Sequence, residues 1–134
     1  MFFWAWTGIA AGAGVGALLR WQLGVALNPI FPTLPLGTLA ANLLGGLLMG
    51  FAMEYLAINT SVPFAVRLTL TTGFLGGLTT FSTFSAETVT LLLRGESLWA
   101  VVAISSHVAG SLLMTIVGIF CVRLLLILKE CVFC

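Results

Sequence analysis

Four long apolar stretches fill most of this chain and constrain its fold more than any other feature. They cover residues 3–26, 36–58, 63–93 and 98–128. Because one membrane crossing needs about 20 apolar residues, four crossings nearly exhaust the 134 residues. Only 7% of the residues are charged, and the mean hydropathy is +1.21. The sequence therefore predicts an all-α membrane protein, with residues 1–134 forming a single domain embedded in the lipid bilayer.

The third apolar stretch differs in composition from an ordinary membrane helix. Its charge-free part, residues 68–86, is rich in glycine and hydroxyl side chains. Residues 63–93 in one helix would be about 46 Å long at ~1.5 Å per residue, well over the ~30 Å hydrocarbon core. Irregular backbone at membrane depth is tolerated only inside protein or beside a polar cavity. We expect a broken helix at a transport site, with the break at Gly76-Gly77, since glycine costs least in a non-helical conformation.

Small residues recur at helical spacing in the first two stretches. Gly8, Gly12 and Gly16 share one face of the first stretch and predict close packing against a neighbouring helix. In the second stretch, Thr38 and Asn42 share one helical face with the glycines at residues 46 and 50. An amide inside a bilayer needs partners, so Asn42 is either an inter-helix clamp or a pore-lining residue.

Further polar and aromatic residues have two interpretations each. Arg20 is either an anchor at the interface or part of an electropositive mouth that attracts anions. Phe81 and Phe84 lie on one helical face, either as ordinary packing or with their positive ring edges toward a small anion. His107 shares a face with Ser111 and is either a packed, hydrogen-bonded residue or a proton relay.

The distribution of basic residues gives almost no signal for orientation. Four crossings would put Arg67, Arg123 and Lys129 on one side of the membrane and Arg20 and Arg94 on the other. Because the excess of Lys and Arg on the cytoplasmic side fixes orientation, a chain so balanced could insert both ways. Two copies could then pair antiparallel about a two-fold axis in the membrane plane, as inverted repeats do in transporters. We therefore expect a dual-topology homodimer.

Several classes of function find no support in the sequence. There is no catalytic constellation, phosphate loop or basic nucleic-acid patch, so we expect neither an enzyme nor a nucleic-acid-binding protein. Cys131 and Cys134 form a CxxC pair without a second Cys or His pair to complete a zinc site.

Three motifs carry a resemblance to a known family. GALLRWQLG (16–24), GTLAANLLGGLLMG (37–50) and GFLGGLTTFSTFSAE (73–87) closely resemble the signature stretches of the CrcB/Fluc family of fluoride channels. The resemblance covers the whole chain in the order of its apolar stretches. It implies an antiparallel homodimer with four crossings per subunit, a broken third helix and two pores. It also implies passive, fluoride-selective efflux from the cytoplasm, which lowers the toxicity of fluoride that enters as HF, and a place in the bacterial inner membrane.

The resemblance also implies roles for individual residues. The backbone carbonyls of Gly76 and Thr79 from both subunits would hold a structural Na⁺ at the dimer centre. The fluoride path would be lined by two phenylalanines, an amide, three hydroxyls and an arginine near the vestibule: Phe81, Phe84, Asn42, Ser82, Thr83, Ser111 and Arg20. Some members carry a serine where this chain has His107, and the resemblance therefore leaves open whether that residue has a role in the pore.

Two other functions compete with a channel. A small dual-topology multidrug or cation exporter would share the length and the number of crossings, but proton-coupled export needs a membrane-embedded acid. The first stretch contains no acidic residue, and Glu54 and Glu87 lie toward the ends of their stretches. The sequence therefore gives such an exporter little support. A non-transporting assembly subunit would use the glycine ladder of the first stretch only for packing.

Overall fold

The computed structural model describes residues 2–132, and these residues are helical apart from short turns and one break. The elements in chain order are α1 (Phe2–Leu27), a 3₁₀ turn (Asn28–Ile30), α2 (Leu36–Ile58), α3 (Phe64–Leu68), a π-helical stretch (Thr69–Leu75), α4 (Gly76–Leu78), α5 (Phe81–Leu93) and α6 (Ser97–Val132). The described chain contains three helices long and apolar enough to cross a membrane, over Phe3–Ile30, Leu36–Ile58 and Ser97–Lys129. The predicted all-α membrane character is confirmed. Cys134, the second cysteine of the CxxC pair, lies outside the described residues.

The third apolar segment is broken, but at Thr79-Thr80 and not at the glycine pair. Thr79 (φ −84°, ψ 155°) and Thr80 (φ −149°, ψ 121°) are extended, whereas Gly76 is helical (φ −64°, ψ −34°). The predicted position of the break is therefore wrong. Branching at Cβ favours the extended backbone of the two threonines, and Thr80 also caps α5, because its hydroxyl accepts from the Thr83 amide at 3.1 Å.

Gly77 is helical, and its missing side chain makes room for α1. A Cβ at this position would lie 2.9 Å from the Cα of Ala13, closer than packed carbon atoms approach. The glycine ladder of α1 does the same from the other side, since a Cβ on Gly12 would lie 2.7 Å from the Thr69 carbonyl oxygen and 2.9 Å from the Phe74 nitrogen. The predicted packing role of the ladder is confirmed.

The helices associate in two parallel pairs. Along α1, Gly12 lies beside Thr69 and Phe74, and Gly16 lies beside Phe74 and Leu78, so α1 and the broken segment run in the same direction. α2 and α6 pair in the same way, with Gly46 against Ser111 and Gly50 against Thr115. The turn at residues 28–35 brings Gly37 back against Gly24, which makes the two pairs antiparallel to each other.

Few apolar side chains are buried within this arrangement. One cluster, Ala41, Leu75 and Leu78, lies at mid-height beside the break, and Leu78 is fully buried. Most large apolar side chains point outward, as expected for a protein whose solvent is lipid. Near the far end of α2, Glu54 accepts two hydrogen bonds from Arg123 (2.9 and 3.1 Å) and joins α2 to α6.

Candidate functional site

The extended dipeptide in the third segment is held by one side chain of α2. The Asn42 Oδ1 accepts from the Thr80 amide at 2.8 Å, and its Nδ2 donates to the Thr80 carbonyl at 3.1 Å. The amide thus pairs with the Thr80 backbone as a neighbouring strand would. Peptide groups without partners inside a membrane cost several kcal/mol each, and Asn42 removes that cost for Thr80.

Asn42 makes a third contact, to α6. Its Nδ2 lies 3.0 Å from Nδ1 of His107. The oxygen and the nitrogen of the Asn42 amide both form hydrogen bonds with other parts of the protein. Asn42 therefore acts as a clamp between helices, which is one of its two predicted roles. Asn42 also lines the same groove as both phenylalanines.

A chain of hydroxyls starts at the break. Thr80 Oγ1 donates to Thr83 Oγ1 at 3.0 Å and lies 3.3 Å from Ser82 Oγ. Since a hydroxyl has one proton, Thr80 gives its proton to Thr83 and Ser82 is the donor to Thr80. The proton of the Thr83 hydroxyl remains for another acceptor. Two of the predicted path residues, Ser82 and Thr83, therefore belong to one hydrogen-bonded chain.

The break separates two cavities. An open groove of about 440 Å³ lies between α2, the break, α5 and α6, and a second cavity of about 370 Å³ lies on the side of α1. The groove is lined by residues that include Asn42, Phe81, Phe84, His107 and Ser111. The second cavity is lined by residues that include Arg20, Asn28, Thr38 and Thr83. Thr80 lines both cavities and is the boundary between them.

Three rings follow one another along the groove. The centroids of Phe81 and Phe84 are 5.6 Å apart with the rings edge to face, and the Phe84 centroid lies 4.7 Å from that of His107. Phe84 is 8% exposed, whereas Phe81 is 77% exposed. Phe84 is fixed by its neighbours, and Phe81 projects from the surface of the single chain.

Arg20 lies against the break and not only at the interface. Its Nε donates to the Gly77 carbonyl at 3.1 Å, at the end of α4. A cation is favourable there, because the last carbonyls of a helix carry partial negative charge and lack intrahelical donors. The same side chain lines the second cavity together with Thr83. Both predicted interpretations of Arg20, anchoring and a positive cavity wall, are compatible with this position.

Three carbonyl groups around the break, those of Gly76, Leu78 and Thr79, have no hydrogen-bond donor within residues 2–132. The Thr80 amide is turned to Asn42. Gly76 is exposed on the surface of the single chain and Thr79 is half-buried. Carbonyl oxygens are hard ligands suited to alkali cations, so those of Gly76 and Thr79 fit the predicted role.

Sequence reasoning missed two features of the site. Sequence reasoning counts Thr80 only among the hydrogen-bond donors, although the spacing of Thr80 and Thr83 before an apolar helix is that of an N-cap. Thr38 was treated only as part of a small-residue face, but its hydroxyl donates to Glu87 at 2.6 Å across α2 and α5. That contact joins residues 49 positions apart, and no local pattern indicates it.

The chain is similar to known proteins over most of its length. Residues 7–119 match the family described as CrcB-like protein, Camphor Resistance (CrcB). The "Fluoride-specific ion channel FluC" of Nitrosospira multiformis is 63% identical over 123 residues, covering 92% of this chain and 96% of the relative. The protein of the same name from Tolumonas auensis is 56% identical (87% and 92% covered), and that from Aromatoleum aromaticum is 57% identical (85% and 87% covered).

Proposed function

The chain belongs to the family of CrcB-like proteins, and on this premise we propose that it is a fluoride-selective ion channel. It lets F⁻ leave the cytoplasm passively and so lowers the intracellular concentration of this toxic ion. The observation that carries the proposal is the third segment, which unwinds at Thr79-Thr80 between two cavities lined by hydrogen-bond donors. The relatives that cover nearly the same length are named as fluoride-specific channels.

The lining of the two cavities suits a small anion that must lose water. Arg20 and the Thr83 hydroxyl offer positive charge and a donor in the second cavity. Beyond Thr80, the residues Phe81, Phe84 and Ser111 line the groove. Ring edges are weakly positive and exclude water. No lysine lines either cavity, and weak sites of this kind release an ion fast enough for conduction.

The functional unit is a homodimer of two antiparallel copies with dual topology. In the single chain, Phe81 is 77% exposed beside a groove that is open on one side. A second copy would close that groove, and the balanced distribution of basic residues permits the copy to insert in the opposite orientation. We further propose that residues 64–93, which run parallel to α1, also cross the membrane and bring the number of crossings in each subunit to four.

A Na⁺ ion at the dimer centre would join the two copies. The carbonyls of Gly76 and Thr79 would hold it, two from each subunit, because they have no donor within the described chain. When bound, the ion supplies positive charge that satisfies these carbonyls. In a bacterial cell we place the protein in the inner membrane as a multi-pass protein, since fluoride efflux from the cytoplasm requires this membrane.

Efflux from liposomes tests the proposed function. Purified protein in liposomes loaded with KF should release F⁻ to a fluoride electrode once valinomycin carries the balancing K⁺, and KCl-loaded liposomes should release far less Cl⁻. Protein-free liposomes are the control. Absence of F⁻ efflux, or equal release of Cl⁻, would overturn the proposal. Release that depends on a proton gradient would instead favour an exporter, and a co-purifying partner without any flux would favour an assembly subunit.

A further inference from the structure

His107 lies at the point where α2, α5 and α6 meet. Its side chain is 4% exposed, its Nδ1 lies 3.0 Å from Asn42 Nδ2, and its ring lies against Phe84. It also lines the groove that holds both phenylalanines. The chain contains no other histidine. The three motifs that carry the resemblance, residues 16–24, 37–50 and 73–87, do not include it.

The hydrogen bonds of Thr80 fix which nitrogen of His107 carries the proton. The Thr80 amide can only donate and its carbonyl can only accept, so Asn42 must turn its oxygen to the amide and its nitrogen to the carbonyl. Asn42 Nδ2 is therefore the donor to His107, and Nδ1 is the acceptor. In a neutral imidazole the other nitrogen then carries the hydrogen. His107 has its N–H at Nε2.

This Nε2–H faces the groove without a protein partner. None of the side chains described hydrogen-bonds to Nε2, although the ring is largely buried. Among the side chains that the structure describes, Thr88 Oγ1 is the one fully buried N or O atom without a hydrogen-bond partner. The Nε2 atom is therefore not fully buried, and the open space beside His107 is the groove itself. Ser111, one helical turn further along α6, lines the same space.

We propose that the Nε2–H of His107 donates a hydrogen bond to the fluoride ion in the groove, beside the ring of Phe84. This inference rests on the proposed function. Asn42 cannot take this role while both of its amide protons are engaged, one by Thr80 and one by His107. A neutral N–H donor replaces part of the water around F⁻ without the tight binding that a full positive charge would give.

Nuclear magnetic resonance of protein labelled with ¹⁵N-histidine tests the proposal directly, because its imidazole signals come from one residue. We expect a protonated Nε2 and an unprotonated Nδ1, and a shift of the Nε2–H signal when NaF replaces NaCl at constant ionic strength. A proton on Nδ1 would overturn the inference. So would an Nε2–H signal that does not respond to fluoride in a preparation that conducts it.

Two substitutions distinguish the role of the donor, Nε2–H, from that of the acceptor, Nδ1, in the His107 ring. His107→Asn keeps an oxygen near the position of Nδ1 for Asn42 but removes the Nε2–H, and His107→Leu removes both. We expect both variants to lose about tenfold or more in F⁻ efflux, since a hydrogen bond to a charged group contributes more than a neutral one. Ile104→Ala, an exposed position of α6 outside the groove, should conduct as the unchanged protein does.

The outcomes distinguish this inference from the proposed function. Efflux of His107→Asn equal to that of the unchanged protein would overturn the donor role alone. If the unchanged protein itself conducts no fluoride, the proposed function fails as well. Should either variant fail to form the dimer in detergent, the ¹⁵N measurement on the unchanged protein still decides the question.

Discussion

At the scale of single residues, the peptide groups of Thr80 determine what the surrounding side chains do. An extended residue inside a membrane segment lacks the intrahelical partners that its neighbours have. Asn42 supplies both of them, at 2.8 and 3.1 Å. The orientation of this amide then determines the tautomer of His107. One unwound residue thus sets the hydrogen-bonding pattern of three helices.

Replacing Asn42 should destabilise the protein as well as reduce conduction. Asn42→Ala leaves the amide and carbonyl of Thr80 buried without partners, at about 1–3 kcal/mol for each group. Asn59→Ala is the matched control, because its amide hydrogen-bonds to the Tyr55 carbonyl in an exposed position. We expect thermal unfolding in detergent to begin at a clearly lower temperature for Asn42→Ala than for Asn59→Ala. Equal unfolding temperatures would contradict the role of Asn42 as a clamp.

The sequence predicts the need of Asn42 for a partner but not the identity of that partner. An amide in an apolar helix requires hydrogen bonds, and this much follows from the residue type. The partner, Thr80, lies 38 residues away, and only the fold brings the two together. The position of His107 beside Asn42 depends in the same way on the parallel pairing of α2 and α6. Local patterns carry no information on either contact.

At the scale of elements, glycine has a different use from the one that its backbone freedom suggests. The pair Gly76-Gly77 was the expected break, yet both residues are helical and Gly77 makes room for α1. The spacing of Gly8, Gly12 and Gly16 predicted close packing correctly, because that signal depends only on helical periodicity. A glycine can serve a break in the helix or the close packing of a second helix. Which of the two applies depends on the neighbouring helix, and the sequence alone does not identify that neighbour.

Two glycines of α1 offer a matched test of this packing. A Cβ on Gly12 would lie 2.7 Å from the Thr69 carbonyl oxygen, whereas a Cβ on Gly14 meets nothing within 4 Å. Gly12→Ala forces backbone against backbone and should cost about 1–3 kcal/mol. Gly14→Ala should leave stability unchanged or slightly raised, since alanine favours the helix. The measurement is thermal unfolding of both variants in the same detergent, and a less stable Gly14→Ala would argue against the observed face of α1.

At the scale of the whole molecule, the single chain leaves its central features incomplete. Phe81 projects from the surface, the groove is open, and Gly76 is exposed with its carbonyl unpartnered. A second copy would complete all three. The sequence predicts this assembly only through its balanced charges and its resemblance to a family. The dimer and its orientation therefore remain predictions.

Removal of Na⁺ should weaken the dimer. A ligand that binds only the assembled state stabilises it by about 2.7 kcal/mol when present at roughly 100 times its dissociation constant. Replacing NaCl with N-methyl-D-glucamine chloride should therefore lower the temperature at which the dimer dissociates in detergent. KCl at the same concentration tests whether another alkali cation can substitute. Identical stability in all three salts would speak against a cation at the carbonyls of Gly76 and Thr79.

The clamp on Thr80 also bears on how an ion would pass. Carriers that alternate between two shapes need a hinge, and a discontinuous helix is a natural place for one. Here two hydrogen bonds from Asn42 hold the break against α2, and Arg20 donates to the end of α4 from the other side. These contacts leave the break little freedom to change its conformation. The lining of the path would therefore stay fixed, and the rate of passage would depend on the movement of the ion between sites and not on a conformational cycle.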